Sequence, residues 1–210
     1  MRLSWLNKPF TLNNRNPKGT TLVELIVDSA TDKNTAHQYL GVYESLMSPK
    51  KYSAKNILEV GVWKGGSIKL WHDYFPNADI YGLDRLPAKQ TSFVDIFNKP
   101  RIHLYTPTDA YDEDVFKANF LDKNLKFDVL LDDGPHHLEC MKTFIRLYSQ
   151  LMTEDGILIV EDLDYLEWAD VLRNETPDHL KQYVKVFDLR SISIHQNSIL
   201  FIIDKSGVVI

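Results

Sequence analysis

From residue 56 onward the chain alternates between two hydrophobic periods. Short apolar runs, NILEVG, DIYGLD, RIHLYT, FDVLLDD and GILIVED, read as buried strands, and helical stretches lie between them. SIKLWHDYF follows the first run, a short helix near 91–97 the second, and DEDVFKANFL the third. The fourth is followed by LECMKTFIRLYSQLM, whose Met141, Phe144, Ile145, Tyr148, Leu151 and Met152 recur at i, i+3, i+4 and i+7. Such alternation predicts a mainly parallel sheet covered by helices on both faces. The tail breaks the rule: KVFDLRSI and SILFIIDK flank HQN and read as an antiparallel hairpin that finishes the sheet.

Ahead of the alternation, residues 21–47 carry helical spacing. Ala36, Tyr39, Leu40, Tyr43, Leu46 and Met47 fall on one face, Thr31 or Asp32 is placed to cap the start, and SPKKYS ends the helix. Residues 1–20, rich in Asn, Lys and Pro, have no period and read as an arm. One domain over 21–210 is the expectation, with no internal repeat and no low-complexity tract.

Composition narrows the partners more than the fold. With 44% hydrophobic and 25% charged residues, the 210-residue chain is ordinary for a soluble globular domain. A net charge of -5 leaves no footprint for nucleic acid or an anionic membrane, which need clustered Lys and Arg. Cys140 is the single cysteine, so no internal disulfide forms. The start MRLSWLNKPF lacks the apolar run of about 7–15 residues in a secretory signal, and no stretch approaches the roughly 18 apolar residues of a membrane span. The expected location is the cytoplasm.

Two strand ends carry the candidate chemistry. FDVLLDDGPHH runs into Asp133, Gly134, Pro135 and His136, and GILIVEDL into Glu161 and Asp162. Carboxylates at the ends of buried strands are costly unless a cation satisfies them, so Asp133, Glu161, Asp162 and His136 form a candidate metal and base site. The first strand ends in ILEVGVWKGGS, which places Glu59, Gly61, Gly65, Gly66 and Ser67 between a strand and a helix, where the backbone can approach a ligand. The spacing is E-x-G-x-x-x-G, and Trp63 stands where a dinucleotide fold needs a glycine, which argues against NAD. Asp84, 23 positions beyond Gly61, is placed for the ribose hydroxyls of a nucleoside. Asp109 follows the third strand, as a contact for an adenine edge or as an N-cap for DEDVF.

The glycine loop with the strand-two acid resembles the class I S-adenosylmethionine-dependent methyltransferases. TDKNTAHQYLGVYE, LLDDGPHH and IVEDL narrow the resemblance to the metal-dependent sugar O-methyltransferases, the group that includes macrocin and mycinamicin O-methyltransferases, with rhamnosyl O-methyltransferases and cephalosporin hydroxylase-type proteins as relatives. It runs over most of residues 31–163. It implies a Rossmann-like, seven-stranded sheet in which the strands ending at Asp133 and Glu161 are neighbours, about 5 Å apart. It further implies S-adenosylmethionine held by Glu59, Gly61, Gly65, Ser67, Asp84 and Asp109, and Mg²⁺ held by Asp133, Glu161 and Asp162, with Mn²⁺ or Ca²⁺ as alternatives for an all-oxygen set.

His136 matches the group's catalytic base, which takes a proton from an alcohol. The implied acceptor is a sugar or glycoside hydroxyl; a catechol-like hydroxyl, or nucleoside binding without catalysis, are the alternatives. Pro135 departs from the usual serine and Asn34 from the usual glycine. On the helix over 31–47, Asp32, Lys33, His37, Tyr43 and Glu44 match a signature of the group, with His37 and Glu44 two turns apart on a shared face. Trp63, Trp71 and Trp168 are expected in the core, Trp168 having a sugar platform as its alternative. The acceptor pocket is expected to draw on the N-terminal segment, the loop after Asp162, and a second subunit of a homo-oligomer.

Overall fold

The computed structural model describes residues 20–27, 30–87 and 94–208. The arm expected over 1–20 lies outside the described residues apart from Thr20.

Seven strands form one sheet. They are β1 (Asn56–Val60), β2 (Asp79–Leu83), β3 (Ile102–Tyr105), β4 (Phe127–Asp132), β5 (Met152–Val160), β6 (Val184–Asp188) and β7 (Ile199–Asp204). Their order is β3-β2-β1-β4-β5-β7-β6. The first five are parallel, while β7 runs antiparallel to both β5 and β6. The expected terminal hairpin is present, with residues 189–198 as a connection longer than the HQN turn. β1 pairs with both β2 and β4, so the order reverses there and opens a crevice at the carboxyl ends of these strands.

The apolar runs are strands because their residues feed two cores by turns. In β5, Ile157 and Ile159 face one core while Leu158 and Val160 face the other, and β7 repeats the pattern with Leu200 and Ile202 against Ile199, Phe201 and Ile203. On the first face lie α1 (Leu22–Leu25), α2 (Leu40–Met47), α3 (Gly66–Tyr74) and α4 (Val94–Phe97); on the second lie α5 (Glu113–Phe116), α6 (Leu138–Tyr148) and α7 (Trp168–Glu175). The spacing expected for α6 holds, since Met141, Phe144, Ile145 and Tyr148 are all buried. No helix among the described residues is long and apolar enough to cross a membrane.

The helix expected over 21–47 is corrected. A single turn, α1, is closed by a capping box between Thr21 and Glu24, and α2 begins only at Leu40. Between them residues 33–37 form turns, and Gln38 takes a left-handed φ of 62°, which a continuing helix does not allow. Thr31 and Asp32 therefore do not cap α2; Tyr39 occupies the cap position and makes no side-chain cap bond. His37 and Glu44 share no helical face. His37 turns toward Asp162 and Ser198, whereas Glu44 accepts from the Leu22 amide and the Tyr74 hydroxyl. The 189–198 connection packs on this turn region, with the Ile194 amide donating to Ala36 O and the Ser193 hydroxyl to His37 O.

Candidate active site

A cavity of about 460 Å³ opens over the carboxyl ends of β1, β2 and β4. Gly61, the first residue past β1, has φ 93°, and a Cβ there would lie 1.9 Å from the carbonyl oxygen of Asp133. Glycine is thus what lets the ends of β1 and β4 meet. Gly61, Ser67, Asp84 and Asp109 line the cavity. Glu59 and Gly65 lie behind its wall. Glu59 is fully buried under Trp71, whose Nε1–H donates to it at 3.0 Å, and Gly65, at φ 80°, starts α3 where a Cβ would strike the Phe97 ring.

Asp84 does more than sequence spacing implied. Its Oδ2 accepts from the amides of Val62 and Trp63, each at 3.0 Å, and its Oδ1 from the amide of Leu86 at 2.8 Å. Three of about four acceptor positions on the carboxylate are occupied by backbone, which leaves room for one further donor rather than two. Asp109 closes a turn by accepting from the Tyr111 amide, and the cap of α5 is Asp112. Trp63, expected in the core, is instead 49% exposed at the cavity rim with φ 43°. Trp71 is core, and Trp168 packs edge-on to Tyr165 against the second core.

The parallel pairing of β4 with β5 brings the two acidic strand ends together, and the acids then separate into two lobes that share Asp133. Outside, Asp133, Asp162 and His136 each present a ligand atom within 4.8 Å of the others; His136 Nε2 lies 3.8 Å from Asp133 Oδ1 and 3.7 Å from Asp162 Oδ2. Inside, Asp133, Glu161 and Glu59 do the same, around the ammonium of Lys33. That nitrogen donates to Asp133 Oδ2 at 2.6 Å and Glu161 Oε2 at 2.7 Å, and sits 3.4 Å from Glu59 Oε1. Asp133, Glu161 and Asp162 therefore do not converge in one set here: Glu161 belongs to the inner lobe and Asp162 to the outer.

Two tyrosines and a histidine complete the arrangement. The Tyr43 hydroxyl donates to Glu161 Oε1 at 2.5 Å, the Tyr39 hydroxyl donates to Asp162 Oδ1, and His37 Nδ1 stands 3.2 Å from that same oxygen. Burial works against the Lys33 charge, but Asp133, Glu161 and Glu59 outweigh it and hold its pKa well above the usual value. Burial lifts Glu59 to about 7 despite Lys33, and lifts Asp162 above the usual carboxylate range with Asp133 adding to the effect. Asp132, buried and bonded by the Tyr111 hydroxyl at 2.5 Å, is raised to about 7 by the same desolvation. A carboxylate oxygen from each of Asp133 and Asp162 beside an imidazole nitrogen, with no thiolate in the set, fits a hard or borderline divalent cation.

Lys33, Tyr39 and His37 are functional-site neighbours whose roles spacing alone did not disclose. The available signal is the pair Tyr39 and Tyr43, hydroxyl-bearing residues on a sequence-predicted face that otherwise carries Ala, Leu and Met.

A sheet in this order, with its crevice at β1 and its acids past β4 and β5, defines the class I methyltransferase fold. No family model matches the chain. It is 27% identical over 150 residues to 8-demethyl-8-(2-methoxy-alpha-L-rhamnosyl)-tetracenomycin-C 3'-O-methyltransferase of Streptomyces olivaceus, covering 68% of this chain and 36% of that protein. It is 27% identical over 143 residues to mycinamicin VI 2''-O-methyltransferase of Micromonospora griseorubida, covering 63% of this chain and 33% of that one. Among solved structures, MycE methyltransferase from the mycinamycin biosynthetic pathway, in complex with Mg and SAH, superposes with a TM-score of 0.64 at 20% identity over 92% of this chain and 57% of its own. By these matches the chain is similar to sugar O-methyltransferases in sequence and to MycE methyltransferase in fold. It spans only about a third of the length of the curated relatives it matches.

Proposed function

We propose that this chain transfers a methyl group from S-adenosylmethionine to a hydroxyl of a sugar or glycosylated small molecule and requires Mg²⁺. The observation that carries the reading is a single cavity that joins the Gly61 turn and Asp84 to Asp133, His136 and Asp162. A nucleoside sulfonium and a hydroxyl acceptor need to meet in one enclosed space, and this cavity supplies it.

Gly61 gives the cofactor backbone to lie against, Asp84 accepts from one ribose hydroxyl through its remaining position, and Ser67 and Asp109 border the same space. Asp133 and Asp162 hold the cation, and Glu161 supports Asp133 through Lys33. A bound divalent ion supplies Lewis-acid stabilisation of the oxygen as it loses its proton. His136 receives that proton at Nε2, the nitrogen turned toward Asp133 and Asp162. The acceptor oxygen forms its bond to the methyl carbon as the carbon–sulfur bond breaks, and sulfur keeps the electron pair.

The same Nε2 also fits a ligand of the cation, because it lies within 4.8 Å of both carboxylates. The two roles separate cleanly. The protein is incubated with S-adenosylmethionine, Mg²⁺ and a panel of nucleotide-sugars and glycosides, and products are read by mass. One acceptor gains the mass of a methylene, and EDTA stops the gain; transfer undiminished by chelator refutes the metal role. His136→Ala abolishes transfer and leaves Mn²⁺ affinity unchanged if His136 is the base, and weakens both if it is a ligand.

A further inference from the structure

The inner lobe already contains a cation, and that cation is part of the chain. Lys33 has no exposed side-chain surface and stands at the meeting point of three carboxylates, at 2.6 Å from Asp133, 2.7 Å from Glu161 and 3.4 Å from Glu59. The oxygens of those acids converge as metal ligands do, all within 4.8 Å of one another. Glu59 Oε1 is fully buried and has no hydrogen bond among the described residues; the Lys33 ammonium lies 3.4 Å from it. One positive charge therefore serves a lobe whose donor set and count suit a hard divalent ion. Asp133, 23% exposed at its side chain, connects the lobe to the cavity and gives ions a way in.

We propose that Lys33 is a resident cation that closes the inner lobe to metal, so that the native chain takes one divalent ion, and that removing its charge converts Glu59, Asp133 and Glu161 into a second divalent-ion site. Lys33 in this role is a positioning residue. Its bond to Asp133 Oδ2 fixes that carboxylate with Oδ1 turned outward, toward His136. The native count of one ion rests on the proposed function; the conversion of the inner lobe does not.

Mn²⁺ is the probe, counted by equilibrium dialysis and electron paramagnetic resonance on the full chain. Wild type is expected to bind one ion and Lys33→Ala two, and Lys33→Ala gains more thermal stability from Mn²⁺ than wild type does. The double variant Glu59→Gln/Lys33→Ala returns to one. Wild type binding two ions, or Lys33→Ala binding no more than wild type, overturns the proposal. If wild type binds none and Lys33→Ala binds one, the inner-lobe inference stands and the outer-lobe metal reading fails. Should Lys33→Ala not fold in chelator, the uncharged, polar Lys33→Gln is refolded with and without Mn²⁺: recovery only with the ion supports the proposal, and equal recovery in both refutes it.

Discussion

Replacing Gly61 by alanine tests the contact on which the whole site hangs. The residue has φ 93°, a conformation that costs an L side chain about 1–2 kcal/mol. The added Cβ would also stand 1.9 Å from the Asp133 carbonyl oxygen and 2.7 Å from its carbon, and because the obstacle is backbone it has no rotamer by which to yield. The ends of β1 and β4 must part, which strains the bond from the Asp133 amide to Val60 O, 2.9 Å in the native protein. Overpacking of this kind costs about 1–3 kcal/mol, so Gly61→Ala is expected to lose about 2–5 kcal/mol in total. Two other glycines calibrate the number. Gly207, at φ 74° with nothing within 4 Å of its Cβ, isolates the conformational cost, and Gly65, whose Cβ meets only the Phe97 ring, falls between. Urea denaturation at constant m-value reads the three losses, and Mn²⁺ titration reads the displacement of Asp133. If Gly61→Ala costs no more than Gly207→Ala, or leaves Mn²⁺ affinity unchanged, the close approach is not what positions Asp133.

Asp84→Asn removes the charged acceptor shared by the Val62 and Trp63 amides and is expected to weaken S-adenosylhomocysteine binding about tenfold or more by calorimetry; equal affinity would place the nucleoside elsewhere. Trp71→Phe takes away the donor to Glu59 Oε2 and is expected to destabilise the fold by about 1–3 kcal/mol in urea, and a change near zero would mean that Glu59 needs no such partner. Mg²⁺ at about a hundred times its dissociation constant is expected to stabilise the protein by about 2.7 kcal/mol, reversibly with EDTA, in a thermal melt. A melt indifferent to both would argue against a cation between Asp133 and Asp162.

The acidic strand ends were legible because a buried apolar run that stops at Asp or Glu is a strong pattern, whereas the place of β4 beside β5 was implied by the family resemblance and not by the pattern. Less was legible wherever a side chain acts against its type. Lysine is rarely fully buried, so nothing in the spacing of residues 31–47 marked Lys33 as the centre of an ion cluster. Asp84 and Asp109 line the cavity, and their bonds to backbone amides depend on loop geometry that periodicity does not carry. Trp63 reached the rim through a left-handed turn that favours glycine or asparagine, not tryptophan.

The failed helix is the most instructive of these, because the continuous version could not have built the site. At roughly 100° per residue, Lys33 and His37 would share one face of a helix while Tyr39 and Tyr43 shared another about 120° away. All four are needed on the same side: Lys33 bonds Asp133 and Glu161, Tyr43 bonds Glu161, and both His37 and Tyr39 reach Asp162. The left-handed Gln38 rotates the first pair relative to the second and lets both converge on the ends of β4 and β5. Removing one partner from a buried ionic network costs about 3–5 kcal/mol, whereas a helical turn forgone costs a few tenths per residue in propensity. The acids past β4 and β5 therefore decide the conformation of residues 31–38, and the amphipathic pattern that predicted a helix there is overruled by electrostatics.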